Sequence, residues 1–158
     1  MTTLHQTRQS VLVVDDEPRI LTSVQDQLDE DFVVEVCSDG GRALEQLREH
    51  DFAVILSDQR MPGMTGDQFL GRAREISKAT RVLLTGYTDL DALVNAINRG
   101  QIHAYVAKPW DPAALKATVA SAAEYYRLQM ELEHERDLLH ALMDNVPDRI
   151  YFKDLDSR

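Results

Sequence analysis

Val11-Leu12-Val13-Val14-Asp15-Asp16-Glu17-Pro18 is a short apolar run that stops on two acids, and its reading decides the fold. Three of the four apolar residues are β-branched, which suits a strand buried on both faces. Ala53-Val54-Ile55-Leu56-Ser57 repeats the pattern and stops on Asp58. Arg81-Val82-Leu83-Leu84-Thr85 precedes Gly86, and Ala104-Tyr105-Val106-Ala107 precedes Lys108-Pro109. Phe32-Val33-Val34-Glu35-Val36-Cys37 is the remaining run. The segments between them carry helical spacing. Ile20, Leu21, Val24 and Leu28 follow Pro18, which a first helical turn tolerates. Ala43, Leu44 and Leu47 follow Asp39-Gly40-Gly41; Phe69, Leu70, Ala73 and Ile76 follow Pro62-Gly63-Met64-Thr65-Gly66. Leu93, Val94 and Ile97 lie between a capping Asp89 and a terminating Gly100, and Asp111-Pro112 opens the last helix. Strict alternation predicts an α/β protein: a doubly wound, five-stranded parallel sheet with five helices and right-handed crossovers.

In such a sheet, ligands sit beyond the carboxyl ends of the strands. Asp15, Asp16 and Asp58 would therefore crowd one crevice. Like charges repel by roughly 4 kcal/mol at 4 Å near a protein surface, so the crevice calls for a cation. Carboxylate oxygens are hard ligands that suit Mg²⁺. Thr85 adds a hydroxyl and Lys108 an ammonium. These are the parts for phosphoryl transfer to a carboxylate, with Asp58 as nucleophile, Lys108 pairing with a phosphoryl oxygen and Thr85 donating a hydrogen bond.

The chain resembles the receiver domain of two-component response regulators, a flavodoxin-like fold. The resemblance rests on Val13-Val14-Asp15-Asp16-Glu17-Pro18, Ser57-Asp58-Gln59-Arg60-Met61-Pro62-Gly63-Met64-Thr65-Gly66, Leu83-Leu84-Thr85-Gly86-Tyr87 and Tyr105-Val106-Ala107-Lys108-Pro109-Trp110. It implies that Asp58 accepts a phosphoryl group from a histidine kinase or phosphotransfer protein. It implies a Mg²⁺ site made by Asp16, Asp58 and the backbone carbonyl of Arg60, with Asp15 assisting through water. It further implies a cis Lys108–Pro109 bond and a switch that couples Thr85 to Tyr105. On this reading the chain is a signalling domain rather than an enzyme. Arg60 and Tyr87 would flank the route of water to the acyl phosphate, and their bulk predicts slow hydrolysis.

Composition agrees with this class. The 158 residues allow one domain and an extension, and 44% hydrophobic content supports a core. A formal charge of −10 without a basic stripe argues against a nucleic-acid surface. The single cysteine, Cys37, leaves no intrachain disulfide and reads as a small core residue. No membrane span or signal peptide is visible, so a reducing cytoplasm is the expected compartment.

No helix breaker stands between Pro112 and Pro147. A helix over 112–143 would be ~48 Å long and outrun a small domain of ~30 Å. Leu115, Val119 and Ala122 suit packing on the sheet. Tyr125, Leu128, Leu132, Leu139, Leu142 and Val146 then follow an alternating three-four spacing with Glu135 as its polar member, the pattern of a coiled-coil seam. Beyond it, Leu142-Met143-Asp144-Asn145-Val146-Pro147-Asp148-Arg149-Ile150-Tyr151-Phe152-Lys153-Asp154 resembles the opening of a PAS sensor domain. The expected organisation is a tail (1–9), a receiver domain (10–123), a linker helix (124–143) and the start of a PAS-like domain (144–158). A homodimer through the last strand and helices, or through the linker seam, is expected.

Each residue also has a plainer reading. Asp15 and Asp16 could cap the following helix, Asp58 could begin an Asx turn, Thr85 could be a strand residue and Lys108 a surface charge. A pseudo-receiver that binds partners without phosphate is the alternative function, and a small-ester phosphatase with an aspartyl-phosphate is a further one. Trp110 reads as packing beside Pro109. The histidines at 5, 50, 103, 134 and 140 are scattered, and His134 lacks the downstream motif of a kinase phosphohistidine.

Overall fold

The computed structural model describes residues 8–99 and 101–144. The strands are β1 (Ser10–Val14), β2 (Val33–Cys37), β3 (Val54–Asp58), β4 (Thr80–Thr85) and β5 (Ala104–Ala107). The helices are α1 (Pro18–Leu28), α2 (Gly40–Glu49), α3 (Gly66–Ile76), α4 (Leu90–Asn98) and α5 (Pro112–Asp144), with a 3₁₀ turn at Tyr87–Asp89. All four pairings are parallel and the strand order is β2-β1-β3-β4-β5. This is the doubly wound, five-stranded flavodoxin-like arrangement expected from the alternation.

The period of a strand divides the core in two. Val11, Val13, Val54, Leu56, Val82 and Leu84 face one way and pack with Leu21, Val24 and Leu28 of α1 and Leu115, Val119 and Ala122 of α5. Leu12, Val14, Ile55 and Leu83 face the other way. They meet Ala43, Leu44 and Leu47 of α2, Phe69, Leu70 and Ala73 of α3, and Leu93 and Ala96 of α4. Burial on both faces is why β1, β3 and β4 read as continuous apolar runs, whereas the edge strands β2 and β5 are partly exposed.

Several boundaries differ from the sequence reading by one residue. Phe32 is buried but precedes β2, and Asp58 is the last residue of β3 rather than the first beyond it. Cys37 is only partly buried against the core, with its thiol 3.2 Å from the Asp39 carbonyl. Trp110 packs against the α1/α5 side and donates from Nε1 to Gln27 Oε1 at 3.1 Å.

The chain divides into two compact units, Met1–Tyr126 and Arg127–Arg158. In the second, the described residues are the remainder of α5. Leu128, Leu132, Leu138, Leu139 and Leu142 are each about half exposed there, and Arg127 pairs with Glu131 one turn on. Among the described residues no helix is long and apolar enough to cross a membrane. Residues 1–7, Gly100 and the PAS-like segment from Asn145 lie outside the described set.

Candidate functional site: an acidic crevice at the strand ends

The register puts the site together. β1 and β3 are neighbours, so Asp15, just past Val14, and Asp58, at the end of β3, stand side by side. β4 lies on the other side of β3, with Asp58 opposite Leu84, and β5 follows with Thr85 opposite Ala107. Backbone bonds continue the ladder past the strands: the Asp15 N–H donates to Cys37 O at 3.1 Å, Gln59 N–H to Leu84 O at 3.2 Å, and Lys108 N–H to Thr85 O at 2.7 Å. The Lys108–Pro109 peptide is cis.

Carboxylate oxygens of Asp15, Asp16 and Asp58 lie within 4.8 Å of one another. Asp15 is 1% exposed and Asp58 6%, whereas Asp16 faces solvent. Lys108 Nζ sits 2.5 Å from Asp58 Oδ1 and 3.8 Å from Asp15 Oδ2. Asp15 Oδ1 accepts the Glu17 N–H at 2.9 Å, but its Oδ2 is buried without a hydrogen-bond partner. Burial pushes the Asp15 carboxyl up to about 6. The Glu17 N–H and Lys108 oppose this, and the Asp58 and Asp16 charges add to it. A buried carboxylate oxygen with no donor, beside two more carboxylates, is a donor set for a hard divalent cation, and the residues present fit one.

The remaining sequence-predicted residues are placed as follows. Thr85 is 4% exposed at the end of β4, and its hydroxyl donates to the Gly86 carbonyl at 3.3 Å. Tyr105, on β5, is 50% exposed. Arg60 is the second residue of the loop after β3; its Nε donates to Asp89 Oδ1 at 2.9 Å and its Nη2 to Thr88 Oγ1 at 2.6 Å. The Tyr87 side chain lies outside the described set.

Three features escaped the sequence reading. Gln59 clasps α3: its side chain accepts the Asp67 N–H at 3.0 Å and donates to Asp67 Oδ1 at 2.9 Å. Burial alone would raise the Asp67 carboxyl, but bonds from Thr65, Gln59 and the Gln68 N–H hold it below the usual range. Gly66 is required by close approach, since a Cβ there would stand 2.2 Å from the Asp58 carbonyl oxygen. The loop Pro62–Gly66 thus presses on the backbone that presents Asp58, and the Gly66 N–H donates to Gln59 O at 2.9 Å. Asp89 was expected to cap α4. It occupies the N-cap position of α4 without a side-chain cap bond there; its Oδ2 accepts the Gly86 N–H at 3.3 Å and so caps the 3₁₀ turn Tyr87–Asp89 that leads into the helix. Residue types alone signalled none of these, because each depends on which loop lies against which.

The acids and the lysine at three strand ends stand together, with Thr85 at the end of the adjoining β4. Residues 11–120 match the model of the response regulator receiver domain. The chain belongs to that family. It is 41% identical over 130 residues to the hydrogenase transcriptional regulatory protein HoxA of Cupriavidus necator, covering 82% of this chain and 27% of that one. The corresponding HoxA of Bradyrhizobium diazoefficiens is 39% identical, over 78% of this chain and 26% of that one. The chain therefore spans about a quarter of the length of these curated relatives. Among solved structures, an adenylate cyclase from Rhodopirellula baltica is similar with a TM-score of 0.79 at 32% identity, covering 83% of this chain and 98% of that one. A receiver domain protein from Clostridium thermocellum gives a TM-score of 0.72 at 27% identity, over 77% and 98%.

Proposed function

We propose that this receiver domain is a phosphoacceptor whose acceptor is Asp58, serving a histidine kinase or phosphotransfer protein. The observation that carries the reading is the buried Asp58 carboxylate with Lys108 Nζ at 2.5 Å and two further acids within 4.8 Å. An Asp58 oxygen would attack phosphorus in line. The phosphorus–nitrogen bond of the donor phosphohistidine would break, its electron pair leaving on the imidazole, which takes up a proton. Little covalent work is left to the protein beyond positioning and charge. Lys108 follows the oxygen it already holds and pairs with the phosphoryl group. Asp15, Asp16, Asp58 and the carbonyl of Arg60 would hold Mg²⁺, which when bound neutralises the charge of the crevice and of the phosphoryl oxygens.

Thr85 now spends its hydroxyl on a neighbouring carbonyl, and Tyr105 is half exposed. Both fit a resting state. A phosphoryl group would draw the Thr85 hydroxyl inward, and Tyr105 would move into the space it leaves. The changed surface of α4, β5 and α5 is the signal passed onward. Arg60 and Tyr87 would slow hydrolysis by flanking the water route. The apolar stripe from Leu128 to Leu142 would pair two chains as a coiled-coil linker, leading into a PAS-like segment and an output domain.

Incubation with acetyl phosphate and Mg²⁺, followed by borohydride reduction and peptide mapping, should place the modification on Asp58 alone. Modification at another residue would refute the assignment. A folded, metal-supplied protein that takes no phosphate would be a pseudo-receiver, and continuous release of phosphate from small esters would make it a hydrolase.

A further inference from the structure

Asp89 is the common acceptor for two donors at the rim of the crevice. Its Oδ1 holds Arg60 Nε at 2.9 Å and its Oδ2 the Gly86 N–H at 3.3 Å. Gly86 directly follows Thr85 at the end of β4, and Arg60 stands two residues beyond Asp58 at the end of β3. A phosphoryl group on Asp58 would bring nearly two negative charges and three acceptor oxygens to this place. A backbone N–H at a strand end and a guanidinium are the donors such a group recruits. The Gly86 N–H is already taken by the Asp89 carboxylate, and the guanidinium, 68% exposed, is tied back by its Nε to Asp89 and by its Nη2 to Thr88 Oγ1 at 2.6 Å. The Asp89 side chain is 12% exposed, so its negative charge sits largely inside the protein, with Arg60 as its counter-charge. The bond to Gly86 also closes the 3₁₀ turn Tyr87–Asp89, which runs directly into α4 with Asp89 at its N-cap position.

We propose that Asp89 is an internal stand-in for the phosphoryl group: it holds the Gly86 N–H and the Arg60 guanidinium in the resting state and gives them up to the phosphoryl group when Asp58 is modified. This rests on the phosphoacceptor reading and adds a regulatory residue to it. On release the carboxylate gives up the bond that closes the 3₁₀ turn leading into α4. The exchange therefore rebuilds the turn Tyr87–Asp89 and re-seats Leu90–Asn98. It acts beside Thr85 but on the loop rather than the strand. Asp89 touches no reacting atom and is a positioning residue, a brake set by competition for donors.

The test uses the whole 158-residue chain with beryllofluoride and Mg²⁺, which needs no phosphodonor. Asp89→Ala should bind beryllofluoride roughly tenfold tighter than the parent, the size of one ion pair and one backbone hydrogen bond no longer opposing it. Asp89→Asn, which keeps an acceptor for Gly86 but no charge for Arg60, should fall between. Arg60→Ala placed on Asp89→Ala should weaken binding again, because a donor to the phosphoryl group is then lost. A purely structural Asp89 would give the opposite sign, since loosening the loop weakens binding. If Asp89→Ala fails to fold, Asp89→Asn decides. A folded variant that binds no tighter than a binding-competent parent overturns the brake and leaves the phosphoacceptor reading standing. A parent that neither binds beryllofluoride nor takes a phosphoryl group overturns both.

Discussion

The crevice and the later half of α5 treat their side chains in opposite ways. In the crevice Asp58, Lys108, Arg60 and Asp89 have partners supplied by the same unit, drawn from four strand ends and two loops. Along the helix from Leu128 to Leu142, apolar side chains stand half exposed at three-four spacing. A site closed on itself can carry out its chemistry in one chain. A stripe left open is the kind of surface that another helix can cover. Under the proposed function the crevice would receive the signal and the stripe would hand it on, and substitutions on either side should leave the other intact.

The largest effect is expected at Lys108. Lys108→Met removes the cation 2.5 Å from Asp58 and leaves two buried acids facing each other. Phosphorylation by acetyl phosphate should slow by roughly 10²–10³, the scale for losing one preorganised electrostatic partner. Helix association, measured by sedimentation, should not change. A rate within a factor of about two of the parent would detach the lysine from the chemistry.

Gly66→Ala comes next. Its Cβ would stand 2.2 Å from the Asp58 carbonyl oxygen, and backbone cannot move aside cheaply. A loss of about 2–4 kcal/mol in urea unfolding is expected, because the loop must lift off β3. An unperturbed midpoint would show that the approach is looser than described.

Asp15 links stability to pH. Its carboxyl is raised from 3.8 to about 6, so the folded protein binds more protons than the unfolded chain between those values. Stability therefore falls as pH rises through that window, and the cost is fully present above it. Without metal, Asp15→Asn should be more stable than the parent by about 1–3 kcal/mol at pH 7.5 and by almost nothing below about pH 4. Added Mg²⁺ should stabilise the parent more than the variant. Equal thermal midpoints at pH 7.5, or a gain that persists at pH 4, would contradict this account.

The smallest effect sharpens the helix side. Glu135→Leu completes the stripe between Leu132 and Leu139, and burying one more leucine should tighten self-association by about 1–2 kcal/mol. Sedimentation equilibrium reads this directly. A variant that stays as weakly associated as the parent would argue against a seam at this register.

The sheet and the crevice were readable in the sequence because one physical cause produces both signals. Strands covered on two faces must be apolar throughout, and their carboxyl ends are where the chain turns polar, so each run points to its own functional residue. Val14-Asp15, Ser57-Asp58 and Thr85 were legible for that reason, and Ala107-Lys108 by its place at the end of the last run, though β5 is an edge strand. Loops gave less. Asp89 was read as a cap because local sequence suggests the nearest donors, while the donors it uses include Arg60, brought close only by the neighbouring loop. Gly66 was read as a turn signal, yet its cause is a carbonyl eight residues earlier. Cys37 was assigned to the core by residue type, but β2 is an edge strand and leaves it partly covered.

The most direct test of the central claim is the intact mass of the chain after acetyl phosphate and Mg²⁺, beside Asp58→Asn with matched circular dichroism. One added phosphoryl group is expected on the parent and none on the variant. Equal gain by both, or no gain by a folded parent, would contradict it.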